Sequence, residues 1–276
     1  MNVLADNIFL FSDHAPVRKT IKIGPTSLTV ASWNVLFEKW LTMNIHSKNR
    51  ETGQTIEQGG HIGKYYPHIA TAIPYERNAE VQIQTLKLLK YSNLDLMGIQ
   101  EFDNNELSNV KKMVGDDYTI ITAEDLKGYL ETVEAERAVK GNNDQQLIIY
   151  NNKTLKADLK QSEVIYYGAD KPNKRILSVL FESIKDGTIF RFENTHVEYG
   201  KMNVLVEHVE KLDQTPLIVV GDMNQAEVPP QFETDNNWQV LTPSIEIAKE
   251  RYTHINTSGQ QVVFDHIWTR HVQTKV

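Results

Sequence analysis

The sequence predicts an α/β fold in which helices pack outside buried strands, and three stretches carry that prediction. Ala79, Ile83, Leu86 and Leu89 recur at helical spacing and lead through Ser92-Asn93 into the apolar run Leu94 to Gln100. Leu205, Val209 and Leu212 repeat the pattern and pass through Gln214-Thr215-Pro216 into Leu217 to Val220. Val17 to Ile23 and Leu28 to Val35 flank Gly24-Pro25-Thr26-Ser27 and read as two strands about a four-residue turn. An amphipathic helix feeding a largely apolar strand implies a strand covered on both faces, hence sheets with helices outside them.

Taken in order, the hairpin comes first and is followed by a stretch, Met43 to Ala72, that is poor in apolar residues. The first helix spans residues 76–91 and its strand ends at Glu101. Glu124 to Lys140 reads as a Glu-rich surface helix. Strands are expected at Gln146 to Tyr150, Ile176 to Phe181, Ile189 to His196 and Val262 to Trp268. No Pro/Gly/Ser-rich linker divides the chain, so residues 1–276 are expected to form one domain with insertions near 43–72 and 124–140.

Composition excludes several classes. The apolar runs are far shorter than the ~20 residues that span a bilayer, so no membrane contact is expected. Met1-Asn2-Val3-Leu4-Ala5-Asp6 has no basic region ahead of an apolar stretch, which argues against secretion. With 0 cysteines, disulfides and thiolate metal sites are ruled out, in keeping with a cytoplasmic location. A net charge of -7 disfavours broad wrapping of nucleic acid, although a cation in an acidic cleft can still hold one phosphate.

Several residues suit phosphoryl chemistry. Asp222 and Asn224 follow an apolar strand and, at spacing i, i+2, share a side if extended geometry persists. A carboxylate beside an amide can orient and deprotonate water, although Gly-Asp-x-Asn also suits an ordinary turn. Glu101 leaves a rigid strand where a hard cation could be held, or where an acidic residue is simply solvated. In Phe190, Phe192, Asn194 and His196 one strand face turns from apolar to polar, as if leaving the core for a cleft.

Six short motifs join these residues: Ser12-Asp13-His14-Ala15-Pro16-Val17, Ser32-Trp33-Asn34, Gly98-Ile99-Gln100-Glu101-Phe102, Asn194-Thr195-His196, Val220-Gly221-Asp222-Met223-Asn224 and Val263-Phe264-Asp265-His266-Ile267-Trp268. Together they resemble the endonuclease/exonuclease/phosphatase superfamily. There the Ser-Asp-His motif closes the chain, whereas here it opens it, so the resemblance implies a circular permutation whose joint is the first hairpin. It implies a four-layer α/β/β/α sandwich, two packed mixed sheets flanked by helices. It further implies metal-dependent hydrolysis of a phosphoester by water. Glu101, Asn34 and Asp13 would hold Mg²⁺ or Mn²⁺. His14, Asp222, Asn224, Asp265 and His196 would be catalytic, His14 sitting beside Asp265. Asp265-His266 superficially mimics the Ser-Asp-His motif, but Ser12-Asp13-His14-Ala15-Pro16-Val17 is the better match, so the resemblance assigns Asp265-His266 to the family's Asp-Tyr-Ile-like motif.

Substrate is less legible. Tyr75-Glu76-Arg77 is similar to the Trp-x-x-Arg approach of deadenylase-like members, with tyrosine in place of tryptophan. Arg77, Arg175 and, within the first insertion, Lys48, Arg50, Lys64 and Tyr65 are the candidate substrate contacts. They favour a nuclease on RNA or single-stranded nucleic acid. The alternatives are a phosphatase or phosphodiesterase on an inositol phosphate or lipid headgroup, and a catalytically silent protein-binding scaffold.

Overall fold

The computed structural model describes residues 12–37, 81, 85, 87, 89, 93–126, 144–168, 173–225, 227–235, 237–241, 253–255 and 258–272. Arg77, Lys48, Arg50, Lys64 and Tyr65 lie outside these residues, as do the first insertion and most of the second.

Strands β1 (Val17–Ile23), β2 (Thr26–Asn34), β3 (Leu96–Asp103), β4 (Tyr118–Ile121) and β5 (Asp144–Asn151) form one sheet in the order β1-β2-β3-β5-β4. A second sheet holds β6 (Leu155–Tyr166), β7 (Arg175–Ser183), β8 (Ile189–His196), β9 (Leu217–Asp222), β10 (Trp238–Leu241) and β13 (Asp265–Arg270), in the order β10-β13-β9-β8-β7-β6. Both sheets are mixed, β2 with β3 and β8 with β9 running parallel. A small hairpin pairs β11 (His254–Ile255) with β12 (Gln261–Val262).

The sheets pack face to face. Leu28, Val30, Leu96 and Ile148 from one meet Leu177, Val179, Phe181, Phe190, Phe192, Ile218, Val220 and Ile267 from the other. Alternate residues of the same strands point outward, as period-2 geometry requires. Trp33, Met97, Ile99, Leu147 and Ile149 pack on the helical residues Val81 and Leu89 and on α1 (Leu107–Val114). On the opposite flank Ile176, Leu217, Val219 and Trp268 meet α3 (Met202–Lys211) and Phe232 of α4 (Pro230–Thr234), after the short α2 (Ala123–Leu126). The result is the four-layer arrangement that the resemblance implied. Among the described residues no helix is long and apolar enough to cross a membrane.

One end of this sandwich has a different chemistry. The inward face of β2 reads Leu28, Val30, Ser32, Asn34, and β3 reads Leu96, Gly98, Gln100. Likewise β8 reads Phe190, Phe192, Asn194, His196 and β9 reads Ile218, Val220, Asp222. Antiparallel β13 brings Asp265 opposite Asp222. Five strands therefore change from apolar to polar at the same end, generalising what β8 showed in the sequence. The sheets approach closely there, since a Cβ on Gly98 would lie 2.6 Å from Val220 Cγ2 and 2.7 Å from Asn194 Oδ1. Asn194 bridges the sheets by donating to the carbonyls of Ile99 (2.9 Å) and Leu147 (2.8 Å) and accepting from Gln100 Nε2.

Three expectations change. The β1–β2 turn has two residues, not four, because Gly24 takes φ 54 ahead of Pro25 and lets Ile23 pair directly with Thr26. The strand expected from Val262 to Trp268 is broken, β12 joining a separate hairpin before β13 starts at Asp265. Strands β4, β6 and β10 were not anticipated: β6 is interrupted by a register shift between Asp158 and Glu163, and β10 is a half-buried edge strand of four residues.

Candidate active site

The polar end of the sandwich gathers side chains from six segments. β8 and β9 run parallel with His196 opposite Asp222, which sets His196 Nε2 3.5 Å from Asp222 Oδ2. Gly221 permits this pairing, because a Cβ there would fall 1.9 Å from the Thr195 carbonyl oxygen. Glu101 arrives from the other sheet through a bulge in β3, with φ 55, and its Oε1 lies 3.6 Å from His196 Nε2. Asn34 Nδ2 spans the two acids, donating to Asp222 Oδ2 (2.9 Å) and Glu101 Oε1 (3.3 Å). Phe37 N–H donates to Glu101 Oε2 at 3.1 Å.

His14 enters from the segment ahead of β1. Its Nδ1 bonds Asp265 Oδ2 at 2.8 Å, and its Nε2 faces Asp222 Oδ2 at 3.8 Å. The backbone is pinned as well: Trp33 Nε1 donates to the His14 carbonyl (3.0 Å) and His14 N–H to Ser12 Oγ (3.1 Å). Ser12 Oγ in turn donates to the Asn34 carbonyl at 2.7 Å.

Electrostatics divides these groups into charged and neutral ones. Burial works against a charged His14, but the carboxylates of Asp265, Asp222 and Asp13 outweigh it and hold the imidazole well above its ordinary value. Burial also lifts Asp265 to about 6, so both partners favour keeping a proton on the pair; the imidazole carries it because three carboxylates face it. Burial resists ionisation of Asp222 and Glu101 too, yet both are held below the usual carboxylate range. For Asp222 the cause is His14, His196 and Lys174; for Glu101 it is His196, Lys174 and His14. His196 is pushed down to about 4 by burial and then by Lys174, whose Nζ rests 3.0 Å from His196 Nδ1. At neutral pH the site thus combines the carboxylates of Asp222, Glu101 and Asp265 with an imidazolium and a neutral imidazole.

Glu101, His196 and Asp222 each offer a ligand atom within 4.8 Å of the others. Two ionised carboxylates at strand ends fit a hard divalent cation, which takes one or two such oxygens and keeps several waters. The other two expected ligands sit differently. The Asn34 oxygen accepts from Leu36 N–H at 3.0 Å, so the side chain ties the carboxylates together through its nitrogen. Asp13 lies with His14 and His254, its Oδ2 3.7 Å from His254 Nδ1.

Asn224 departs from extended geometry. With φ 50 it folds its N–H onto Asp222 Oδ1 (2.9 Å) and sends its amide nitrogen to the Val197 carbonyl (2.7 Å). Arg175 starts β7 at the polar end, is fully buried and donates from its guanidinium to Gln145 Oε1 at 2.8 Å. Three neighbours had no signal in the sequence. Lys174 precedes a strand with no motif around it, and Thr253 stands just before the two-residue strand that His254 opens, too short for any periodicity.

No protein-family model matches the sequence, and no curated protein does. Solved structures do. An endonuclease/exonuclease/phosphatase family protein from Bacteroides thetaiotaomicron matches with TM-score 0.54 and 16% identity, over 90% of this chain and 84% of that one. D. rerio TDP2, complexed with single strand DNA product, matches with TM-score 0.53 and 13% identity over 70% of this chain and 77% of its own. ANGEL2, a 2',3'-cyclic phosphatase, matches with TM-score 0.53 and 12% identity, over 94% of this chain and 90% of that one.

Proposed function

We propose that this chain, which has the fold of the endonuclease/exonuclease/phosphatase superfamily, is a divalent-metal-dependent phosphodiesterase that cleaves RNA or single-stranded nucleic acid by direct attack of water. The observation that carries the reading is the convergence of Glu101, Asp222 and His196 with the His14–Asp265 pair at one end of the sandwich. The same reading takes the order of motifs as a circular permutation, supported by the two-residue turn that joins β1 to β2.

Glu101 and Asp222 would hold the cation, Mg²⁺ or Mn²⁺. When bound it supplies charge neutralisation for the phosphate oxygens. Asp222, kept ionised, orients the attacking water, and the Asn34 amide holds the two acids at a fixed spacing. The His14 imidazolium, its Nδ1 engaged by Asp265, presents Nε2–H toward the position of a phosphoryl oxygen and stabilises the charge that develops there. His196, neutral, serves as a second hydrogen-bonding group beside the same oxygens. No side chain needs to form a covalent intermediate.

The nucleic-acid substrate is favoured by the likeness to D. rerio TDP2, solved with single strand DNA product. A phosphatase acting on a small phosphorylated molecule is the second reading, favoured by the likeness to the cyclic phosphatase ANGEL2 and by the net charge of -7. Mg²⁺-dependent hydrolysis of bis-p-nitrophenyl phosphate, followed by panels of RNA, single-stranded DNA and inositol phosphates with and without chelator, tests both. Chelator-sensitive cleavage of oligonucleotides is the expected outcome; no hydrolysis of any phosphoester overturns the reading.

A further inference from the structure

Thr253 and His254 belong to none of the six motifs, yet they touch both halves of the His14–Asp265 pair. Thr253 Oγ1 accepts from Asp265 N–H (3.2 Å) and Phe264 N–H (2.9 Å), while the Thr253 carbonyl accepts from Ala15 N–H (2.9 Å). His254 donates from Nδ1 to the Asp13 carbonyl at 3.1 Å and stacks on the His14 ring, with centroids 4.4 Å apart and planes inclined by 23°. It also stacks with Phe264 at 5.3 Å.

Asp13, His14 and His254 are close enough to invite a reading as a second cation site. The stacking argues against it. An ion shared by two imidazoles must lie near both ring planes, and planes inclined by only 23° do not meet near the rings.

The stack does something else. The bond to Asp265 fixes one atom of the His14 ring and leaves the ring free to swing about that bond, which would carry Nε2 away from Asp222. A second flat ring laid against the first removes this freedom, offset stacking being a favoured arrangement of aromatic pairs. Resting on the catalytic role proposed above for His14, we propose that His254 is a positioning residue that fixes the plane of the His14 imidazole, with Thr253 holding Asp265 in register beneath it.

The experiment compares His254→Phe, which keeps a flat stacking ring, with His254→Ala, which removes it. His254→Asn, which keeps a donor for the Asp13 carbonyl but no ring, replaces the alanine variant if that one does not fold. With Mg²⁺ and bis-p-nitrophenyl phosphate, kcat of His254→Ala is expected to fall about tenfold, in line with the cost of small misplacements, with KM unchanged and with His254→Phe restoring most of the loss. An unchanged kcat in the alanine variant, or a phenylalanine variant equally slow, overturns the proposal. Proton NMR gives a readout that does not depend on activity. The Nε2–H resonance of His14 should be sharp in the parent protein and in His254→Phe and broaden beyond detection in His254→Ala; a sharp signal in all three overturns the positioning role. A parent protein that hydrolyses nothing defeats the proposed function, and the NMR comparison still decides the role of His254.

Discussion

Two buried histidines each hold a carboxylate at 2.8 Å, His14 with Asp265 and His208 with Glu193. Their exposures are nearly the same, 6% and 8%, over partners that are both 0% exposed, so burial does not tell them apart. Their neighbours do. His208 projects from α3 onto β8, and Glu193 also accepts from Ser178 Oγ at 2.9 Å on an otherwise structural surface. His14 sits where five strands end and faces a second carboxylate, with Glu101 and His196 beyond it. A histidine–carboxylate pair is thus an ordinary way to satisfy buried polar groups. It becomes a candidate for chemistry only where further ionisable groups converge on it.

Substitutions can break this contrast. The largest effect is expected for Asp222→Asn, which keeps the shape of the site and removes the charge that faces both histidines. Hydrolysis should fall by about 10³-fold, within the range for losing an acid–base group, while the melting temperature falls modestly, because the fold favours the charged carboxylate and both its oxygens accept hydrogen bonds. His14→Ala should cost about 10²-fold with the fold preserved, read by turnover and circular dichroism. On the other side of the comparison, Glu193→Gln should leave turnover per folded molecule unchanged and lower unfolding stability by about 3 kcal/mol, the scale for breaking one partner of a buried pair. Urea denaturation reads that loss directly.

A gentler test sharpens the contrast by pH. Burial works against a charged His208, but Glu193 outweighs it and raises the imidazole above its ordinary value. A raised folded value means that the pair's contribution is complete below the unfolded pKa of about 6.5 and is lost as pH climbs through the folded one. The stability gap between the parent protein and His208→Gln should therefore be wider near about pH 6 than near about pH 9. An equal gap at both would remove the charged pair from the account.

Much of the layout was legible in the sequence because it rests on periodicity. Helical spacing and the apolar run after it located α3 and β9, and the switch from Phe190 and Phe192 to Asn194 and His196 on one face of β8 marked the mouth of the site. Isolated residues without a pattern were not legible. Lys174 and His254 owe their places to strand pairing and ring stacking between segments far apart in the chain, and nothing local announces them. Asn224 was misjudged for a related reason. Extended geometry ends at Asp222, and the backbone turn at φ 50 re-aims the amide to Val197. The break between Val262 and Asp265 was hidden because Val263 and Phe264 look like strand residues, while the Thr253 hydroxyl that captures Phe264 N–H lies 11 residues earlier.

His14 and Asp222, 3.8 Å apart, are assigned to one site. The most direct measurement is the rate of Mg²⁺-supported phosphodiester hydrolysis for His14→Ala, Asp222→Asn and the double variant. Groups that work as a unit are strongly non-additive, so the double variant should be about as slow as Asp222→Asn alone. Near parental rates in either single variant, or a double variant slowed by the full product of the two single losses, would contradict a shared site.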